Sequence, residues 1–207
     1  MKKFISLSQY PGKTGQYFYT EFFKYYNIDA TYEPLACADV EQSINQAIED
    51  GVSGISISMP FKQVVIPMLN KTHPYVNMYS SCNTIKIDKN ITTGYNADLA
   101  GVEYMCKEIK QGDKITILGA GAIGSMFVKY LEEDHYGDLN VCTKSTGTWN
   151  NRFIYSDVVI NCTALGTSIF DSPYGLGQIP PAAKIVIDLA IKDNELQEQC
   201  KIARVKY

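Results

Sequence analysis

No stretch of this sequence carries the roughly 18 consecutive apolar residues that a membrane-spanning helix requires. It opens "MKKFISLSQYPGKTG", with two lysines, but polar residues return too soon for a secretory signal. Basic residues are in no excess: 19 Lys and Arg against 22 Asp and Glu leave a net charge of −3. That balance offers no field for nucleic acid or an acidic membrane surface. Six cysteines are scattered without a CxxC pair, and the only two histidines, His73 and His135, stand far apart, so no metal site is read. The thiols are expected to be reduced core residues of a cytoplasmic protein. Internal repeats and low-complexity segments are also missing.

What is present is an ordinary globular composition, 45% apolar and 20% charged over 207 residues. That length suits one large domain or two small ones. "KFISLS" reads as a first strand. A Pro-Gly-Lys-Thr-Gly loop follows, then a helix with Phe18, Phe22 and Tyr25 at i, i+4, i+7. A second strand is expected near Thr31–Ala36. Asp39 with Gln42 makes a capping box for a helix whose apolar face is Val40, Ile44, Ala47 and Ile48. A third strand spans Ile55–Met59, where Pro60 stops it, and Phe61 and Lys62 open a short helix. This βαβαβ order is the signature of a mostly parallel sheet. "CNTIKIDKNITTGY" breaks it with two short strands around Asp88-Lys89-Asn90, a hairpin loop.

A helix from about Asp98, with Val102, Met105, Cys106 and Ile109 on one face, leads to a second series. "KITILG", the helix "AIGSMFVKYLEED", "DLNVCT", "SDVVINCT" and "AKIVIDLA" follow in order. The chain thus reads as two α/β domains, residues 1–98 and 99–207. The second is Rossmann-like.

"ILGAGAIGSM" places Gly119, Gly121 and Gly124 in GxGxxG spacing between a strand and a helix, with Ala122 and Ile123 at the helix start. The first glycine permits the turn, the second lets backbone approach a pyrophosphate, and the third lets helix pack on strand. A glycine-rich turn without a ligand is the plainer reading of the same residues. An acidic residue about 20 positions on would bind the free ribose hydroxyl of NAD. Thr143, Lys144 and Ser145 stand there instead, and a cation with hydroxyls suits the 2′-phosphate of NADP.

The other motif is "SGISISMPFK". Open α/β sheets bind ligands beyond the carboxyl ends of their strands, where Lys62 would sit with Asp98 as a proton-transfer partner. An exposed first-turn lysine and a helix N-cap explain the same two residues equally well.

The elements "SISMPFK", "SCNTI", "GYNADLAG", "ILGAGAIG" and "VINCTALGTS" follow the order and spacing of the shikimate dehydrogenase family, which the chain resembles across nearly its whole length. The resemblance implies a substrate domain followed by an NADP domain. It also implies reversible NADP-dependent reduction of 3-dehydroshikimate to shikimate, a step of aromatic amino acid biosynthesis. By it Lys62 and Asp98 match the catalytic pair, and Ser56, Ser58 and Asn83 match groups that hydrogen-bond the substrate hydroxyls. Asn161 and Thr163 match the loop near the nicotinamide, and Thr143, Lys144 and Ser145 the clamp on the 2′-phosphate.

Several positions depart from the family. Gly12 and Thr14 replace a serine pair that holds the substrate carboxylate, leaving Thr14 as the remaining hydroxyl. Ala97 stands where threonine is usual. The segment after "TKST" is short, so one helix of the cofactor domain is expected to be reduced, with a smaller adenosine platform. The family's last helices have no counterpart before "CKIARVKY". A related cyclic polyol such as quinate, or a non-catalytic ligand-binding module, are the alternatives these departures open. Trp149 packs within the shortened loop or over an adenine, loop packing being the simpler reading. The tyrosine-rich "YFYTEFFKYY" fits a homodimer contact or a buried helix.

Overall fold

A computed structural model describes residues 1–133, 137–166, 172–175, 179–180, 182–190 and 194–207. His135 and the last two residues of "VINCTALGTS" lie outside the described residues. Packing divides the chain into two compact units, Met1–Asp98 and Leu99–Tyr207.

The first unit runs β1 (Lys2–Ser8), α1 (Thr14–Tyr25), β2 (Ala30–Ala36), α2 (Val40–Glu49) and β3 (Gly54–Ile57), then a 3₁₀ turn at Ile66–Met68. β4 (Lys71–Thr72), α3 (Pro74–Met78), β5 (Thr84–Asp88) and β6 (Ile91–Tyr95) follow. The sheet order is β2-β1-β3-β5-β6-β4. β2, β1 and β3 are parallel, and β5 reverses against β3 and β6. Lys89 and Asn90 both have positive φ, so β5 and β6 join through a two-residue turn whose twist matches the strands.

Strand alternation sorts the two faces of this sheet. Ile5, Ile55 and Ile85 lie opposite one another and are buried, as are Leu7 and Ile57. Val40, Ile44 and Ala47 of α2 close this face, together with Phe61, Val65 and Val76. Each such side chain contributes about 1.5–3 kcal/mol when fully withdrawn from water. Asp39 accepts from the Gln42 N–H at 3.0 Å, meeting one of the four unpaired donors of the α2 N-terminus. On the opposite face Ser6, Ser56, Thr84 and Tyr95 fall in one row across four strands.

α1 turns its 19/23 row toward the sheet. Phe18, Phe22 and Tyr25 are exposed, while Phe23 is buried. Tyr19 stacks on Tyr32 at 4.5 Å and Phe23 meets Phe4 at 5.7 Å. The rings that β1 and β2 present therefore choose which row of α1 turns inward, and the 18/22/25 row is left exposed. β3 ends two residues earlier than expected. Ser58 N–H still bonds Leu7 O, but the chain then turns, with Phe61 N–H donating to Ser58 O and Val65 N–H to Phe61 O. Lys62 sits in this run of turns instead of a regular helix.

The second unit takes in α4 (Asp98–Cys106), whose first residue closes the first unit, then β7 (Ile115–Leu118), α5 (Ala122–Glu133) and β8 (Leu139–Cys142). A 3₁₀ segment at Thr148–Phe153, β9 (Val158–Asn161), β10 (Ile185–Asp188) and α6 (Glu195–Ala203) complete it. Its four strands, in order β10-β9-β7-β8, are all parallel. Every residue of β7 and β9 is buried, as in a sheet covered on both faces. The shortened connection after β8 carries only the 3₁₀ segment. Past α6 the chain returns beside β10, with Val186 N–H on Lys206 O and Lys206 N–H on Lys184 O. All six cysteines are free. His73 caps α3, its Nδ1 accepting from Tyr75 N–H. Among the described residues no helix is long and apolar enough to cross a membrane.

Candidate active site and cofactor cradle

In the first unit Lys62 Nζ donates to Asp98 Oδ2 at 2.6 Å. The two side chains keep 19% and 27% of their surface, enough shelter to strengthen the pair and enough opening for a ligand. Backbone contacts set Lys62 in place: its carbonyl accepts from Cys82 N–H at 2.8 Å, directly before Asn83. Asn83 Oδ1 accepts from Ala97 N–H at 2.9 Å and from Thr84 Oγ1 at 3.0 Å. Asn96 Oδ1 accepts from Asp98 N–H at 3.0 Å. Asp98 is thus the first residue of α4 with its own N–H already met. Its carboxylate is not spent as a cap and turns to Lys62. A negative charge there is also favoured by the helix dipole.

Asn83, Ser56 and Ser58 are unspent donors of the same unit. Asn83 Nδ2 and the hydroxyls of Ser56 and Ser58 have no hydrogen-bond partner among the described residues. Ser56 also lines a cavity of about 270 Å³ with Tyr19, Tyr32, Thr84 and Lys86. Thr14, the first residue of α1, is exposed, and no described hydrogen bond or cavity joins it to Lys62 or Asp98. A groove of about 470 Å³ between β2 and α2 holds none of the expected site residues. An ammonium held on a carboxylate can pass a proton to or from a hydroxylated ligand.

In the second unit Gly119, at φ +91°, makes the turn from β7. A Cβ on Gly124 would stand 2.1 Å from Gly119 O, so α5 approaches the turn as only glycine allows. A Cβ on Gly121 would meet nothing within 4 Å. Open space over Gly121, at the N-terminus of α5 (Ala122, Ile123), is the cradle a dinucleotide pyrophosphate needs. The adjoining cavity, about 530 Å³, is lined by Gly119, Thr143, Lys144, Ser145, Trp149, Thr163, Ala164 and Leu165. That size is within the range of small-molecule sites. Its lining has one cation and no acid, so the donor set fits a phosphorylated ribose. Thr143 Oγ1 bonds both the Ser145 and Thr146 hydroxyls.

Asn161 is fully buried and saturated. Its amide donates to Leu165 O and Asp188 Oδ1, and its Oδ1 accepts from the N–H and hydroxyl of Thr163. It therefore shapes the Thr163–Leu165 wall from behind, while Thr163 faces the cavity. The residue missed in sequence is Asp188, which also accepts from Ala190 N–H, Asn194 Nδ2 and Tyr207 Oη. The available signal was an acid closing the apolar strand "VID" at the sheet's carboxyl end. Burial pushes the Cys162 thiol up to about 12, with Cys106 and the Asp188 charge adding to it. Burial first, and then the bond to Asp188, raise the Tyr207 phenol.

One α/β unit carries a paired lysine and aspartate, and the other a glycine turn beside a cavity lined by hydroxyls and a lysine. A model of the shikimate dehydrogenase substrate binding domain matches residues 15–85. The shikimate dehydrogenase-like protein of Haemophilus influenzae is 23% identical over 177 residues, covering 78% of this chain and 65% of that protein. The quinate/shikimate dehydrogenase (NAD(+)) of Corynebacterium glutamicum is 30% identical over 168 residues, covering 79% and 58%. The chain thus matches less than two thirds of the length of these relatives. Among solved structures, shikimate 5-dehydrogenase of Thermus thermophilus, in complex with NADP(H) and shikimate, superposes with a TM-score of 0.83 at 15% identity, covering 100% of this chain and 86% of that one. In its first unit the chain is similar to the shikimate dehydrogenase substrate binding domain, and along most of its length to shikimate and quinate/shikimate dehydrogenases.

Proposed function

We propose that this protein is an NADP-dependent oxidoreductase that reversibly reduces 3-dehydroshikimate to shikimate, with residues 1–98 binding substrate and residues 99–207 the cofactor. The observation that carries the reading is the 2.6 Å Lys62–Asp98 pair, with the Asn83 amide tied to the same turn through Ala97 N–H. The bound nicotinamide supplies hydride chemistry. Lys62 gives its proton to the oxygen of the carbon being reduced, and takes it back in the reverse direction. Asp98 holds the ammonium on target and balances its charge. Asn83 Nδ2 and the serine hydroxyls orient the ring hydroxyls, with Thr14 left as a carboxylate donor. Gly119, Gly121 and Gly124, with the start of α5, hold the pyrophosphate, and Thr143, Lys144 and Ser145 the 2′-phosphate. Reduced thiols such as the six free cysteines persist in the cytoplasm, where we place the protein.

Quinate is the second reading, favoured by the similarity to a quinate/shikimate dehydrogenase. The test is NADP reduction with shikimate and then quinate, comparing wild type with Lys62→Ala. Removing a general acid–base group lowers turnover by about 10²–10⁴, and NADP affinity should stay unchanged. If neither ring turns over while NADP binds, the oxidoreductase reading fails and a binding module takes its place.

A further inference from the structure

We propose that Trp149 is the platform on which the adenine of the dinucleotide stacks, giving this chain an adenosine half-site on one indole face flanked by Lys144. The inference deepens the NADP reading and rests on it.

Trp149 is the chain's single tryptophan. It is the second residue of the 3₁₀ segment that stands between β8 and β9. One side of the residue packs against the cluster of Leu118, Cys142 and Tyr174. The other lines the 530 Å³ cavity with Gly119, Lys144 and Thr163. Phe127 and Tyr174 of this unit are buried at 0% and 2% exposure. Trp149 instead stays half-buried on the cavity wall.

The ring is also held still before any ligand arrives. The Arg152 guanidinium lies 4.9 Å from its centroid and is itself fixed, donating to the carbonyls of Trp149 and Pro173 at 2.9 Å each. The Thr148 hydroxyl donates to Val141 O and accepts from Thr143 N–H, tying the start of the segment to the end of β8. A platform fixed in advance loses little freedom on binding.

Charge completes the site. Lys144 Nζ lies 5.7 Å from the indole centroid. Neither Lys144 nor Arg152 pairs with a carboxylate among the described residues. An aromatic base with a phosphate a few ångströms away satisfies both features together: the base covers the indole, and the phosphate draws Lys144 from the ring. Every nucleobase offers a π-face, and removing one base–aromatic stack costs on the order of tenfold in affinity.

The experiment titrates the intact protein with 2′,5′-ADP, which carries adenine and the 2′-phosphate but no nicotinamide. Trp149 emission is followed alongside calorimetry. Saturable quenching is expected, with the calorimetric midpoint. Trp149→Phe should keep the affinity, and Trp149→Leu should lose on the order of tenfold. Calorimetric binding without any change in emission overturns the platform while leaving the NADP reading intact, as does wild-type affinity in Trp149→Leu. Should Trp149→Leu not fold, the wild-type emission still decides. Failure of both 2′,5′-ADP and NADP to bind wild type overturns the NADP reading and the platform with it.

Discussion

A Cβ placed on Gly124 stands 2.1 Å from the Gly119 carbonyl oxygen and 2.9 Å from its carbon. Both are backbone atoms of the turn leaving β7, so no side-chain rotation relieves the contact. The shortfall from ordinary van der Waals separation exceeds an ångström, and α5 must move off β7 to absorb it. That movement draws Met126 and Phe127, both essentially fully buried, away from their partners. Overpacking costs about 1–3 kcal/mol, and a backbone obstacle puts Gly124→Ala at or above the top of that range. A domain of this size loses about 4 °C or more of melting temperature per kcal/mol, so a fall of roughly 10–20 °C is expected. Gly121→Ala is the opposite case. Its φ lies outside the left-handed region and nothing stands within 4 Å of the new methyl. There the unfolded chain loses freedom and the fold gains about 0.4–1 kcal/mol. The methyl fills space that a pyrophosphate would occupy, so NADP affinity should fall while the melting temperature holds or rises. Circular dichroism melts and calorimetric NADP titrations of the two variants separate the effects. A Gly124→Ala protein melting within a few degrees of wild type would refute the packing argument. Wild-type NADP affinity in Gly121→Ala would refute the cradle.

Two further expectations concern protons. The Asp157 carboxyl is held below its ordinary value of 3.8, first by the hydrogen bond from Lys184 and then by the backbone N–H of Lys114. A lowered folded value means that its stabilisation is complete above 3.8 and is lost as pH falls through the folded value. Urea midpoints should therefore drop more steeply on acidification in wild type than in Asp157→Asn; parallel slopes would remove the effect. The Cys162 and Cys200 thiols are both pushed up to about 12, chiefly by burial. Almost no thiolate then exists at neutral pH. Iodoacetamide should label these two only in denaturant, and labelling of the native protein at the rate of a free thiol would contradict this.

Strand alternation and glycine spacing were enough to read most elements of both sheets, because burial on one or both faces imposes its period on every residue of a strand. The same logic failed for α1. Aromatic residues occupy 17–19, 22, 23, 25 and 26 and flank the narrow polar row of Gln16, Thr20 and Lys24 on both sides, so spacing alone leaves the inner face open. Phe4 and Tyr32 settle the rotation from two strands away, and local spacing contains no trace of them. β4 and α3, two and five residues long, are too short to show a period at all.

The candidate site shows the same division between local pattern and long-range contact. Lys62 and Asp98 are legible as residue types near strand ends, yet their 36-residue separation leaves open whether they meet. The competing readings, exposed lysine and helix cap, differ in what the Asp98 carboxylate accepts. It accepts from Lys62 Nζ at 2.6 Å and from no backbone N–H among the described residues, so the cap reading of Asp98 fails. Asn96 accepts the Asp98 N–H, and Asn83 performs the matching service for Ala97 one residue earlier. Two asparagines thus meet the backbone donors of the turn that brings Asp98 to Lys62. Neither looks like a catalytic group, so what makes the pair usable lies in residues that a search for acids and bases passes over.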